Sequence, residues 1–223
     1  MNSGTTSVWA LGTLMLGLTF GVGCGASASK SADQDATHAS ARPERISTGD
    51  AGKLAPHRKG AVAYTYLAGG CFWGVEHYLE KLSGVHEVVS GYMGGHVANP
   101  TYKQVIGKKT GHLETVKVAY DPKQVSFETI AKLFFEIHDP TQKDGQGPDI
   151  GPQYLSAVFY ANAEQKRVVE GLMGQLSSTG MDVATILRPI DGPFWPAEAF
   201  HQDYYARTGK YPYCHKRVKR FAD

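Results

Sequence analysis

Cysteine is scarce in this chain of 223 residues, which carries only Cys24, Cys71 and Cys214. Three thiols can form one pair and no framework, so a small disulfide-stapled scaffold is excluded. No Cys-x-x-Cys pair occurs, which removes a four-cysteine zinc site. Charge of one sign is also missing, since 23 basic residues face 21 acidic ones for a net +2. Nucleic-acid binding needs a concentrated basic patch. The one basic cluster, Lys216, Arg217, Lys219 and Arg220, lies at the C-terminus and reads as a solvated tail. No apolar run reaches the roughly 20 residues that a membrane-spanning helix requires. What is present is an ordinary globular balance, 42% hydrophobic and 20% charged, on a chain long enough for one sizeable core.

Residues 1–24 read as an export signal. The stretch 8–22 is nearly free of polar groups, and its length suits the core of a signal peptide. Cys24 follows a small residue, as in bacterial lipoprotein processing, but Gly21 stands where an aliphatic residue is usual and no Lys or Arg precedes the run. Export to the cell envelope or periplasm is the reading, with lipid anchoring through Cys24 left open. Residues 25–56, rich in Ser, Ala, Asp and Thr, read as a flexible linker, and 57–223 as the folded domain.

Within that domain the patterning alternates between strand and helix. Strands are predicted at 61–67, 85–92, 113–120, 155–160 and 185–190. Helices are predicted at 73–82, at 126–137 with Ser126 as cap and Phe127, Ile130, Phe134 and Ile137 on one face, and at 163–176. A last helix is predicted at 196–206, with His201 as a structural residue within it. The core order strand-helix-strand-strand-helix-strand is that of a ferredoxin-like motif. The expected fold class is therefore α+β, a two-layer sandwich with a ferredoxin-like core. Its mainly antiparallel sheet carries helices packed on it, and a long coil-rich C-terminal segment follows.

Chemistry gathers in four places. Gly69-Gly70-Cys71-Phe72-Trp73-Gly74 puts a thiol where a strand turns into a helix. Free N–H groups and the helix dipole there favour thiolate, so Cys71 is expected to titrate below the free value. Phe72 and Trp73 place apolar surface beside the sulfur. The competing reading is a buried, inert cysteine. Glu114, in Gly111-His112-Leu113-Glu114, would be a proton donor if burial raised its pKa, or else an exposed strand residue. The loop 147–154 is dense in Gly and Pro and carries Asp149 and Tyr154. Tyr102, in Asn99-Pro100-Thr101-Tyr102, is either a phenolic donor or a core tyrosine.

Taken together these segments resemble the peptide-methionine (S)-S-oxide reductases, the A-type methionine sulfoxide reductases. The resemblance covers about 61–214. It is carried by GGCFWG at 69–74, GYMGG at 91–95, NPTY at 99–102, TGHLE at 110–114, HDPT at 138–141, GPDIGPQY at 147–154 and FWPAEAFHQDYY at 194–205. It implies Cys71 as nucleophile, Glu114 as the acid that protonates the sulfoxide oxygen, and Tyr102 and Tyr154 as phenols bonded to that oxygen. It further implies Asp149 as a polar lining residue, Phe72 and Trp73 as the pocket for the methyl on sulfur, and Cys214 as the resolving thiol. Leu155 stands where the family often has Arg, Pro148 and Ile150 vary the usual loop, and the second C-terminal cysteine common in the family is absent.

The implied reaction is reduction of the S epimer of methionine sulfoxide, free or in proteins. It runs through a Cys71 sulfenic acid and a Cys71–Cys214 disulfide that a thioredoxin-like donor reduces, with no metal or organic cofactor. One site per chain makes a monomer the expected state. Two rival readings predict different behaviour. A cysteine hydrolase using Cys71, His201 and Asp203 would need no reductant and no Cys214. A non-catalytic binder of oxidised methionine would show no turnover.

Overall fold

The computed structural model describes residues 62–222. The apolar run 8–22, Cys24, the linker 25–56 and the start of the folded domain at 57–61 lie outside the described residues.

The chain runs β1 (Ala63–Gly69), α1 (Phe72–Leu79), β2 (Val85–Met93), α2 (Tyr102–Ile106), β3 (Leu113–Tyr120) and α3 (Phe127–Ile137). It continues through a two-residue hairpin of β4 (Gly145–Gln146) and β5 (Asp149–Ile150), then β6 (Ser156–Tyr160), α4 (Ala163–Ser178), β7 (Ile186–Pro189), β8 (Trp195–Pro196) and α5 (Tyr204–Thr208). The main sheet has strand order β7-β6-β1-β3-β2-β8. Its inner four, β6-β1-β3-β2, are joined by antiparallel pairings; α1 connects β1 to β2 and α3 leads from β3 towards β6 in ferredoxin-like fashion, while α4 follows β6 and leads to β7. Only β7 runs parallel to its neighbour. The α+β expectation therefore holds.

The two faces of the sheet do different work. Every residue of central β3 is buried. Its even-numbered Val116, Val118 and Tyr120 join Leu67, Val75, Leu79, Phe134 and Leu172 in the large core beneath the helices. By the two-residue period of a strand, Glu114 points to that same helix-covered face. The opposite face carries a smaller cluster of Tyr66, Ala68, Met93, Leu113, Phe159 and Phe194.

Two expectations are corrected. The helix predicted over 196–206 is not continuous: Pro196 belongs to β8 opposite Gly91, and a short 3-10 turn covers Ala199–His201. Asp203 then takes a left-handed conformation (φ 52°), which interrupts any helix before α5. Gln202 instead extends the sheet edge with its side chain, accepting from Ser90 N at 2.9 Å and donating to Ser90 O at 2.9 Å. The basic tail, in turn, is solvated only in part: Lys216, Arg217 and Lys219 are exposed, yet the segment is anchored. Arg217 pairs with buried Glu136 at 2.7 Å, and Arg220 Nε donates to Phe135 O at 2.9 Å. Phe221 is buried against Phe135. The coil-rich C-terminal segment is thus stapled to the end of α3, and this brings residues 213–215 back over the start of α1.

Candidate active site

Cys71 occupies the N-cap of α1, immediately after β1 ends. Gly70 makes the turn with φ 95°, and a Cβ there would overlap the side chain of Gln146. The sulfur accepts from the backbone N–H of Trp73, as a helix start should provide. Even so, the expected low thiol pKa is not found. A hydrogen bond with Cys214, burial, and the charge that Cys214 would carry together push the Cys71 thiol up, and these outweigh the amide. The residue is only 5% exposed.

Cys214 arrives from the C-terminal segment. The sulfurs of Cys71 and Cys214 and a carboxylate oxygen of Asp149 all lie within 4.8 Å of one another. Both cysteines are free thiols. Tyr213 OH donates to both Asp149 oxygens, at 3.0 and 2.8 Å, and so straps the tail across the β4–β5 hairpin.

Glu114 is the first inward-facing residue of β3, at the N-terminus of α1, and is 2% exposed. Its Oε2 accepts from Phe72 N at 3.1 Å. Burial raises its pKa well above the usual carboxylate range, the negative charge of an ionised Cys71 adds to this, and the Phe72 amide opposes it. Tyr102 and Tyr154 are half-buried and share a hydrogen bond. Burial raises the pKa of both, with Glu114 the next cause, so each phenol keeps its proton and faces the carboxyl.

The aromatic wall divides into a floor and a rim. Phe72 is 1% exposed, its ring against Tyr92 (5.9 Å) and His201 (5.1 Å). Trp73 is half-buried and stacks on Tyr204 at 3.8 Å and 8°. Its Nε1 donates to His201 Nδ1 at 3.1 Å. The hydrolase triad is therefore not assembled. His201 serves Trp73, burial lowers its pKa to about 4, and the Asp203 backbone N–H donates to Glu76.

All eight residues expected from the sequence thus fall in one neighbourhood. Three further participants escaped the sequence reading. Glu198 accepts from Tyr102 N (2.8 Å) and Tyr92 OH (3.0 Å), which fixes α2 beside the site. Tyr204 backs Trp73. His215 donates from Nε2 to Gly69 O at 2.7 Å. The first two stand in the FWPAEAFHQDYY segment, whose density of aromatic and polar residues was the available signal. Two clefts, of about 650 and 500 Å³, open elsewhere and include neither Cys71 nor Glu114 in their walls.

Comparison with known proteins gives a consistent result. The sequence profile of one family, described as peptide methionine sulfoxide reductase, matches residues 63–223. The peptide methionine sulfoxide reductase MsrA of Thermus thermophilus is 50% identical over 149 residues, 66% of this chain and 84% of that protein. Among solved structures, reduced Mxr1 from Saccharomyces cerevisiae aligns with a TM-score of 0.65 and 32% identity, covering 72% of this chain and 93% of that one. Methionine sulfoxide reductase A of Corynebacterium diphtheriae gives 0.63 and 30%, covering 77% and 94%.

Proposed function

The chain belongs to the peptide methionine sulfoxide reductase family, and from that premise we propose how its own residues carry out the reduction. The enzyme is an oxidoreductase that returns methionine sulfoxide to methionine. The observation that carries the assignment of roles is the convergence of a buried carboxyl, two thiols and two phenols at the N-terminus of α1.

A sulfoxide oxygen is a poor leaving group until protonated. Glu114, held neutral by burial, supplies that proton as general acid. Tyr102 and Tyr154 stabilise the changing charge on the oxygen. Cys71 attacks sulfur, the S–O bond breaks, and the oxygen passes to Cys71 as a sulfenic acid while methionine leaves. The thiol proton of Cys71 returns Glu114 to its neutral form, so atoms and charge balance. Phe72 and Trp73 take the methyl group, and Asp149 lines the polar side. Specificity for the S epimer belongs to this reading, because each epimer has its own enzyme type.

Cys214 then attacks the sulfenic acid, water leaves, and a Cys71–Cys214 disulfide forms. The short separation of the two sulfurs supports this step. A thioredoxin-like thiol donor reduces the disulfide. No metal or organic cofactor enters the scheme, and the protein works as a monomer. Export to the cell envelope or periplasm, with anchoring through a lipidated Cys24, completes the proposal; it rests on the apolar run and Cys24 in the sequence. The test is steady-state turnover of separated S and R epimers of a methionine sulfoxide peptide with a thioredoxin donor. Turnover of the S epimer alone is expected, and equal turnover of both would overturn the epimer assignment.

A further inference from the structure

We propose that His215 is the base of the second chemical step, taking the Cys214 thiol proton as Cys214 attacks oxidised Cys71. This rests on the disulfide step of the preceding reading.

The hydrogen bonds fix the tautomer. His215 Nε2 lies 2.7 Å from Gly69 O. A carbonyl can only accept, so Nε2 carries hydrogen and the neutral ring has a bare Nδ1. That Nδ1 lies 3.0 Å from Cys214 Sγ, and the thiol therefore donates to it. Burial pushes the ring down to about 4, which keeps Nδ1 available as an acceptor at neutral pH.

The ring is also held in place. It is buried on the glycine-rich start of α1, and a Cβ at Gly74 would overlap Nδ1. A glycine in the first turn of a helix is otherwise a cost. Here it makes room for the base. The groups facing or near the ring are Cys214, Cys71, His138 and Asp149. His138 is pushed to about 3 by burial and stays neutral. Asp149 alone among these favours a proton on His215, and so stabilises the imidazolium formed during transfer.

A free thiol is ionised to only a few per cent at neutral pH, and the thiolate is the nucleophile. With the base in place, Nδ1 receives the proton, a Cys214 electron pair forms the S–S bond, and the S–O pair leaves Cys71 with oxygen. The imidazolium proton then joins the departing hydroxide as water. Cys71 sulfur is reduced by one formal level and Cys214 oxidised by one, so no outside oxidant is required.

The test uses the full chain carrying Cys24→Ser, reduced and mixed with a stoichiometric amount of S-methionine sulfoxide. Disulfide formation is followed by acid quench and intact mass between about pH 5.5 and 8. A level rate is expected for this protein. With His215→Gln added, the rate should fall on the order of 100-fold at neutral pH and then rise tenfold per pH unit, as hydroxide replaces the base. Slowing by one constant factor at every pH, or no slowing, would overturn the proposal. Should His215→Gln fail to fold, the His215-containing protein decides alone, because a tenfold rise per unit there would mean that no internal base operates. Methionine formed without any disulfide would instead refute the disulfide step itself.

Discussion

The amide of Phe72 donates to Glu114 Oε2 at 3.1 Å, tying the residue that follows the thiol to the carboxyl of the neighbouring strand. The bond joins two local features, the free N–H groups at the start of α1 and the first inward position of β3. Its consequence is that the acid is tied to the peptide immediately after the nucleophile.

Glu114→Gln removes the proton and leaves the size and the Phe72 hydrogen bond nearly unchanged. Single-turnover methionine formation should fall by roughly 10²–10⁴. Because burial raises the Glu114 pKa, the acid is present at low pH and is lost as pH rises through that raised value. The rate with Glu114 in place should therefore show a descending alkaline limb that Glu114→Gln lacks. Rapid-quench rates across pH measure both.

Glu76 offers a test on stability. It is buried in α1 with its pKa raised to about 8, chiefly by burial. The folded state thus holds its proton more tightly than the unfolded chain, in which a Glu titrates near about 4.3. That contribution is complete below the unfolded value and is lost as pH climbs through about 8. Relative to Glu76→Gln, the unsubstituted protein should lose roughly 2–4 kcal/mol between about pH 5 and 9. Thermal unfolding across that range would show parallel curves if the inference is wrong.

Arg217→Ala should loosen the C-terminal segment by leaving Glu136 buried without its cation. Because the Arg217 side chain is 58% exposed, solvent screens the pair, and the loss is expected at about 1–2 kcal/mol. The more telling effect is local. Limited proteolysis should cut near 209–213 faster, and disulfide formation should slow while methionine formation in the first turnover slows less.

Much of this arrangement was legible beforehand. Alternation located β3, short strand-type runs located β1, β2 and β6, and Ser126 marked the start of α3, because each is a local signal. The motif segments pointed to Cys71, Glu114, Tyr102, Asp149 and Tyr154. The thiol pKa of Cys71 was misjudged because its largest cause, Cys214, lies 143 positions away along the chain and acts only through the fold. Arg217 and Arg220 looked solvated because their partners, Glu136 and the carbonyls ending α3, have no signature in the tail itself. Asp203 broke a plausible helix through a left-handed backbone that its sequence neighbourhood does not announce.

The central claim is that Cys71 accepts the sulfoxide oxygen and Cys214 resolves it. It is tested most directly by a single turnover of the reduced full chain carrying Cys24→Ser on an S-epimer methionine sulfoxide peptide, with intact mass recorded afterwards. The account predicts one methionine per enzyme and a loss of about two hydrogen masses, replaced by a gain of about one oxygen mass when Cys214→Ser is added. Absence of methionine, with both thiols still reduced, would contradict it.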